Sequence, residues 1–140
     1  MVEVVAVTVI VVVLSAYAIP RMMGPGELAV RTAADRLVAA LHYAQVLAQR
    51  QGKKISVVIA ATDPQITVKY DGGAVVPLAN ENYSDYQIRL HSDVSITSGT
   101  ITYGEDGVPT AGTGQYDVKE NGVKRFTVTV QPTGFVQLGS

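Results

Sequence analysis

Glu3-Val4-Val5-Ala6-Val7-Thr8-Val9-Ile10-Val11-Val12-Val13-Leu14-Ser15-Ala16-Tyr17-Ala18-Ile19-Pro20 begins with a carboxylate, runs apolar from Val4 to Ile19 and closes on a proline. No charge interrupts the run, and its only polar groups are Thr8, Ser15 and the Tyr17 hydroxyl. So much valine favours a strand in water. In hydrocarbon the choice reverses, because a lone strand leaves its backbone groups unpaired while a helix pairs them internally. The run therefore reads as a helix for lipid or for the core of a helical assembly. Its length of about 16 residues falls short of the roughly 20 that span a bilayer, and Met1 and Val2 narrow the gap. A secretory signal is excluded by the uncharged Met1-Val2, the acidic Glu3 and the lack of a small-residue cleavage site.

Pro20 lacks an N–H and crowds the preceding turn, so the first helix ends or kinks there. Gly24-Pro25-Gly26 forms a second cluster of breakers. These positions read equally as a place where the spine bends or melts and as an ordinary linker. A second helical pattern starts at Glu27: Val30, Ala34, Leu37, Leu41, Ala44 and Ala48 fall on one face, widened by Val38 and Leu47. Arg31, Asp35, His42, Gln49 and Arg50 lie mainly on other faces. Gln51-Gly52 supplies a C-terminal cap, with Lys53 and Lys54 just beyond.

From Ile55 the period changes to two. Ile55, Val57 and Ile59 alternate, then Ile66, Val68 and Tyr70, with Asp71-Gly72-Gly73 turning the chain into Ala74–Leu78 as a hairpin. Further alternation is seen at Tyr86, Ile88 and Leu90, at Val94 and Ile96, and at Ile101 and Tyr103. It resumes at Phe126, Val128 and Val130, and Gly134 turns the chain into a last strand, Phe135–Leu138. The glycine-rich stretch from Gly104 to Gly122 is weakly patterned and reads largely as loop. The expected fold is α+β: a long N-terminal helix, apolar in its first half and amphipathic in its second, packed on one face of an antiparallel β-rich domain. The expected division is an apolar helix over 1–23, a breaker over 24–26 and a globular domain over 27–140. Within that domain the amphipathic helix occupies 27–51 and the β-rich part 52–140.

Composition excludes several functions. A net charge of −1 gives no reason to expect a polyanionic partner. Without cysteine there is no disulfide framework, thiolate metal site or thiol nucleophile. His42 and His91, the only histidines, belong to different elements, and no zinc spacing occurs. Asp63, Asp71, Asp85, Asp93 and the pair Glu105-Asp106 sit at turns, where turn chemistry accounts for them. Calcium at Glu105-Asp106-Gly107 is not expected, since no ladder of ligands is present. No catalytic motif is found, so the chain is not expected to be an enzyme, nor to carry a cofactor or a metal.

Val2-Glu3-Val4-Val5 through Ala18-Ile19-Pro20-Arg21 resembles the mature N-terminus of type IV pilins and type II secretion pseudopilins. That family carries a glutamate near the start of an apolar helix and often a proline 17 residues later, the separation of Glu3 and Pro20. Ala33-Ala34-Asp35-Arg36-Leu37 through Ala44-Gln45-Val46-Leu47-Ala48-Gln49-Arg50, then Gly52 and a strand, resembles the H-type pseudopilins and FimT-like minor pilins, as does the close Thr127–Val130, Gly134, Val136. Tyr17-Ala18-Ile19-Pro20-Arg21-Met22 is also similar to minor pilins of the mannose-sensitive haemagglutinin type.

The resemblance implies a pilin fold and a minor pilin or pseudopilin, working near the tip or in an initiating complex. Glu3 would serve subunit assembly by meeting a neighbour's N-terminal amine. Val4, Val5, Val9, Val12, Val13 and Ile19 would pack in the membrane and then in the filament core. Pro20, Gly24, Pro25 and Gly26 would form the kink or melting site. Implied partners are other pilins or pseudopilins, the inner-membrane assembly platform, and a prepilin peptidase that cuts a basic leader ending in glycine from the precursor. Met1 would then not be the mature end. The implied location is the inner membrane, crossed once, with the domain in the periplasm.

Two rivals stand beside this reading. One is a DNA-binding minor pilin of a competence pilus, using Lys53-Lys54, Lys124-Arg125 and the stacking surfaces of Tyr83, Tyr86 and Tyr103. It is not favoured, because Gln131 to Ser140 carries no Lys or Arg. The other is an anchored periplasmic domain that never polymerises.

Overall fold

The computed structural model describes residues 1–18, 24–60, 63–71, 73–76 and 86–140. Helix α1 runs Val2–Ala18 and α2 Pro25–Gln51. Nine strands follow among the described residues: β1 Ile55–Ile59, β2 Gln65–Tyr70, β3 Gln87–Arg89, β4 Val94–Ile96, β5 Gly99–Tyr103, β6 Pro109–Ala111, β7 Gly114–Glu120, β8 Val123–Val130 and β9 Val136–Gly139. The class is α+β, as expected, but the strands form two antiparallel sheets rather than one. The first has the order β3-β2-β1-β5-β6 and the second β4-β7-β8-β9. Ile19 and Pro20, like Asp85 and Tyr83, lie outside the described residues.

Helix α2 begins at Pro25, two residues before the expected start at Glu27. Proline and glycine at 25 and 26 do not break it, because the first turn has no internal partner for its N–H groups and proline's fixed φ suits that position. Gly24 takes the N-cap place, its carbonyl accepting from Leu28 N at 3.2 Å. At the other end Gly52 adopts the left-handed φ of 58° and its N–H reaches the Ala48 carbonyl, closing the helix as a glycine cap. The stripe Val30, Ala34, Leu37, Leu41, Ala44 and Ala48 is fully buried, joined by Ala33 and Ala40.

Both sheets pack on that stripe. In the first sheet Val57 stands between Val68 and Ile101, and Ile55 between Tyr70 and Tyr103. This register puts the apolar side chains of β2 and β5 and, apart from Val58, those of β1 on one face, turned towards α2. In the second sheet Tyr116 opposes Val128, and Val130 opposes Val136. The chain changes sheets between β3 and β4, between β4 and β5, and between β6 and β7. At the second of these Thr97 N donates to the Asp117 carbonyl at 3.0 Å and Asp117 N to Thr97 Oγ1 at 3.2 Å.

Three strand expectations need correction. The stretch Gly104 to Gly122 is not mainly loop: it holds β6 and β7, and β7 pairs on both edges. Only Tyr116 and Val118 face the core there, between Asp117 and Lys119, so the local alternation is too short to stand out. The polar side of β7 is held across the sheet instead. Lys124 Nζ lies 2.8 Å from Asp117 Oδ1, and Thr127 Oγ1 donates to the same oxygen at 3.1 Å. These contacts, led by the Lys124 hydrogen bond, hold the Asp117 carboxyl below its ordinary pKa. Of the strand expected over Ala74–Leu78, the described residues show a bridge between Val75 and Lys69, with Val76 N donating to the Val68 carbonyl at 2.9 Å, and residues 77 and 78 lie outside the described residues. The last strand starts at Val136, because Phe135 ends a turn and remains exposed.

Gly112 permits the β6–β7 link to pass close to β5. Its φ is 79°, and a Cβ there would strike the backbone of Thr100 and Ile101. Nearby, the Tyr116 hydroxyl donates to the Gly112 carbonyl at 2.7 Å. Tyr103 differs: it is fully buried, and among the described residues its hydroxyl has no hydrogen-bond partner.

Replacing Leu37 by Ala should lower the unfolding free energy by about 2–5 kcal/mol in a denaturant titration, since the two sheets and α2 leave little freedom to collapse. Burial, with Tyr116 adding to it, pushes the Tyr103 phenol up to about 12. The folded chain therefore keeps a proton that the unfolded chain has lost above about pH 10. That stability is complete below pH 10 and is lost as pH rises towards 12. Tyr103→Phe should leave neutral-pH stability unchanged or higher and reduce the alkaline loss, read as unfolding midpoints between pH 7 and 12.

Candidate functional site

The site is a helix rather than a pocket. Apolar residues occupy every side of α1, not a single stripe, and a helix of that kind is stable only when something covers it all round. Among the described residues nothing does so. Val4, Val5, Val9, Val12 and Val13 are each more than half exposed, and among the described residues none from α1 belongs to the buried core. That core runs from Val30 to Val136, complete without α1. Thr8 removes its own polarity by donating to the Val4 carbonyl at 2.7 Å.

Glu3 is the only charged side chain of α1 and stands in its first turn. A carboxylate there is favoured by the unpaired N–H groups of the helix start. Among the described residues it has no ion pair. Around it, Val4, Val7 and Thr8 form a shallow depression. An anion in an apolar wall is chemically suited to a cation brought by another molecule. Among the described residues no helix is long and apolar enough to cross a membrane. The 17 residues of α1 rise about 26 Å at 1.5 Å each, against roughly 30 Å of hydrocarbon.

Of the positions expected to form the joint, Gly24, Pro25 and Gly26 lie at the start of α2, and Pro20 is outside the described residues. Gly24 has no side chain with which to cap that helix. A residue not singled out by sequence reasoning comes to this end: the Glu120 carboxylate, at the end of β7, sits where a Cβ on Gly26 would be. Its other oxygen accepts from Arg125 Nε at 3.1 Å. An anion is thereby placed at the positive end of α2. No local signal marks Glu120, because only the β7–β8 pairing carries it to Gly26.

Of the aromatic residues considered for stacking on bases, Tyr86 and Tyr103 are committed elsewhere and Tyr83 lies outside the described residues. Tyr103 is enclosed in the core, and Tyr86 is buried with its ring stacked on Tyr43 at 4.9 Å between centroids. Lys53 lies over Tyr70 at 5.9 Å. His42 is exposed, and His91 lies 3.5 Å from Asp93. Asp106 Oδ1 accepts from Val108 N at 3.0 Å, a turn contact. Among the described residues no three His, Asp or Glu side chains gather as a metal site.

A bare apolar helix, then an amphipathic helix clasped by antiparallel sheets, defines a subunit of the pilin type, a minor pilin or pseudopilin. The sequence model of the family described as Type II transport protein GspH matches residues 33–134, and the chain belongs to that family. Two crystal structures of the type IV minor pilin FimU from Pseudomonas aeruginosa strain PAO1 are similar in fold. One, in space group P21, has a TM-score of 0.59 at 16% identity, covering 79% of this chain and 88% of that one. The other, in space group P65, has a TM-score of 0.56 at 16% identity, covering 79% and 92%. No curated protein matches the chain. The family and the fold are those of structural subunits.

Because the core is complete without α1, a fragment of residues 24–140 should fold. Its unfolding midpoint should match that of the full chain in detergent, measured by circular dichroism.

Proposed function

We propose that this subunit joins a type IV pilus or a type II secretion pseudopilus through α1, near the tip or in an initiating complex. The observation that carries the reading is the apolar surface of α1, bare on every side beside a domain whose core is already closed. Before assembly the helix lies in the inner membrane with the domain in the periplasm. On assembly the same valines, Val4, Val5, Val9, Val12 and Val13, pack against the helices of other pilins or pseudopilins, with Ile19 continuing the surface. The inner-membrane platform and a prepilin peptidase acting on the precursor complete the set of partners. The subunit itself works as a structural part, not as an enzyme.

Glu3 supplies the specificity of that packing. A carboxylate in the middle of hydrocarbon costs about 2.5–3.5 kcal/mol, and a cationic group on the neighbouring subunit offsets that cost. Pro20, Gly24, Pro25 and Gly26 serve as the joint where the spine changes direction or melts on leaving the membrane. Within that joint Pro25 and Gly26 belong to the first turn of α2, where proline's missing N–H costs the helix no hydrogen bond.

The chain has no cysteine, so Val9→Cys places a single thiol on α1. In cells that thiol should cross-link to other pilin-type subunits. Adding Glu3→Ala should abolish the cross-link while leaving the unfolding midpoint of the domain unchanged. Undiminished incorporation by the Glu3→Ala chain overturns the role of Glu3. Absence of any cross-link, with the chain held in the membrane, favours an anchored domain that does not polymerise.

A further inference from the structure

At the end of the domain that follows α1 in the chain, α2 and the residues closing β3 enclose a groove of about 470 Å³. Its floor is apolar, made by Ala29, Ala33 and Leu90, and Leu28 stands on the lip with 58% of its surface exposed. Arg36 and Arg89 complete the rim, and among the described residues neither has an ion pair. We propose that this groove is where the domain rests on anionic phospholipid headgroups of the bilayer that holds α1 before assembly. The proposal builds on the reading of α1 as a membrane helix.

Three observations select this occupant. First, the charge is complementary. Guanidinium groups donate in a planar fork that matches phosphate oxygens, and no carboxylate lines the groove. The acids nearby are occupied or turned away: Asp93 lies 3.5 Å from His91, and Glu27, Arg31 and Asp35 alternate in sign at four-residue spacing along another stripe of α2. Second, an exposed leucine beside arginines is the composition of a surface that enters the headgroup layer, the apolar side chain going deeper than the charges. Third, the chain itself keeps the groove near the bilayer. The seven steps from Ala18 to Pro25 span at most about 25 Å when fully extended, and Leu28 is on the first turn of α2. A partner protein has to arrive, whereas the bilayer surface is already within the tether's reach.

The chain has no tryptophan, so Leu28→Trp sets a single indole on the lip of the groove. The full chain carrying it is placed in nanodiscs of phosphatidylcholine alone or mixed with phosphatidylglycerol. The indole emission should shift to the blue and resist acrylamide quenching only where phosphatidylglycerol is present, and Arg36→Glu with Arg89→Glu should remove both effects. A nitroxide on Thr32→Cys, in a chain otherwise free of cysteine, gives the same reading through protection from a water-soluble relaxation agent if Leu28→Trp disturbs folding. An equally wet probe in both discs, with the chain incorporated, overturns this proposal and leaves the membrane reading of α1 standing. Protection that is the same in both lipids, or that needs an added pilin-type subunit, also overturns it. A chain that fails to enter nanodiscs overturns the membrane reading and the proposal with it.

Discussion

Both sheets are held to one stripe of α2, in which Leu37 and Leu41 supply the bulk and Ala34, Ala40, Ala44 and Ala48 the closeness. Small side chains let strands approach the helix, while the leucines fill the space where the sheets diverge. Two sheets sharing one helix also explain why the strands cross between layers at Thr97. A single flat sheet would cover only part of a stripe that includes Ala33 and Ala40 as well as the expected positions. The cap at Gly52 and the start at Pro25 then set how much helix is available for that contact.

The same chain contains the opposite case. Helix α1 is more apolar than α2 and, among the described residues, has nothing to bury against. Folding satisfies α2 from within the chain, whereas α1 needs a second medium or a second molecule. In the assembly proposed above, one helix stabilises the domain and the other joins it to its surroundings. Glu3 there adds an electrical condition to an otherwise unselective apolar surface, because an unpaired carboxylate in hydrocarbon is disfavoured and a paired one is not.

Much of the fold could be read from local pattern. The 3.6-residue period of Val30 to Ala48 corresponds to the buried stripe, and the alternations at Ile55–Ile59, Ile66–Tyr70 and Phe126–Val130 correspond to β1, β2 and β8. Strand β7 could not be read so easily, because Tyr116 and Val118 are only two apolar steps and its remaining order comes from β4 and β8. The start of α2 was hidden for a different reason. Proline and glycine are helix breakers inside a helix and acceptable residues in its first turn, and only position tells the two apart.

Glu3, the valines of α1 and the period of α2 follow from the order of residues alone, because helical spacing and transfer between water and hydrocarbon act over a few neighbouring positions. The approach of Glu120 to Gly26 and the meeting of Arg36 with Arg89 at one groove do not. Those pairs join residues far apart in the chain. Strand register and the crossing between two sheets had to exist before either pair could.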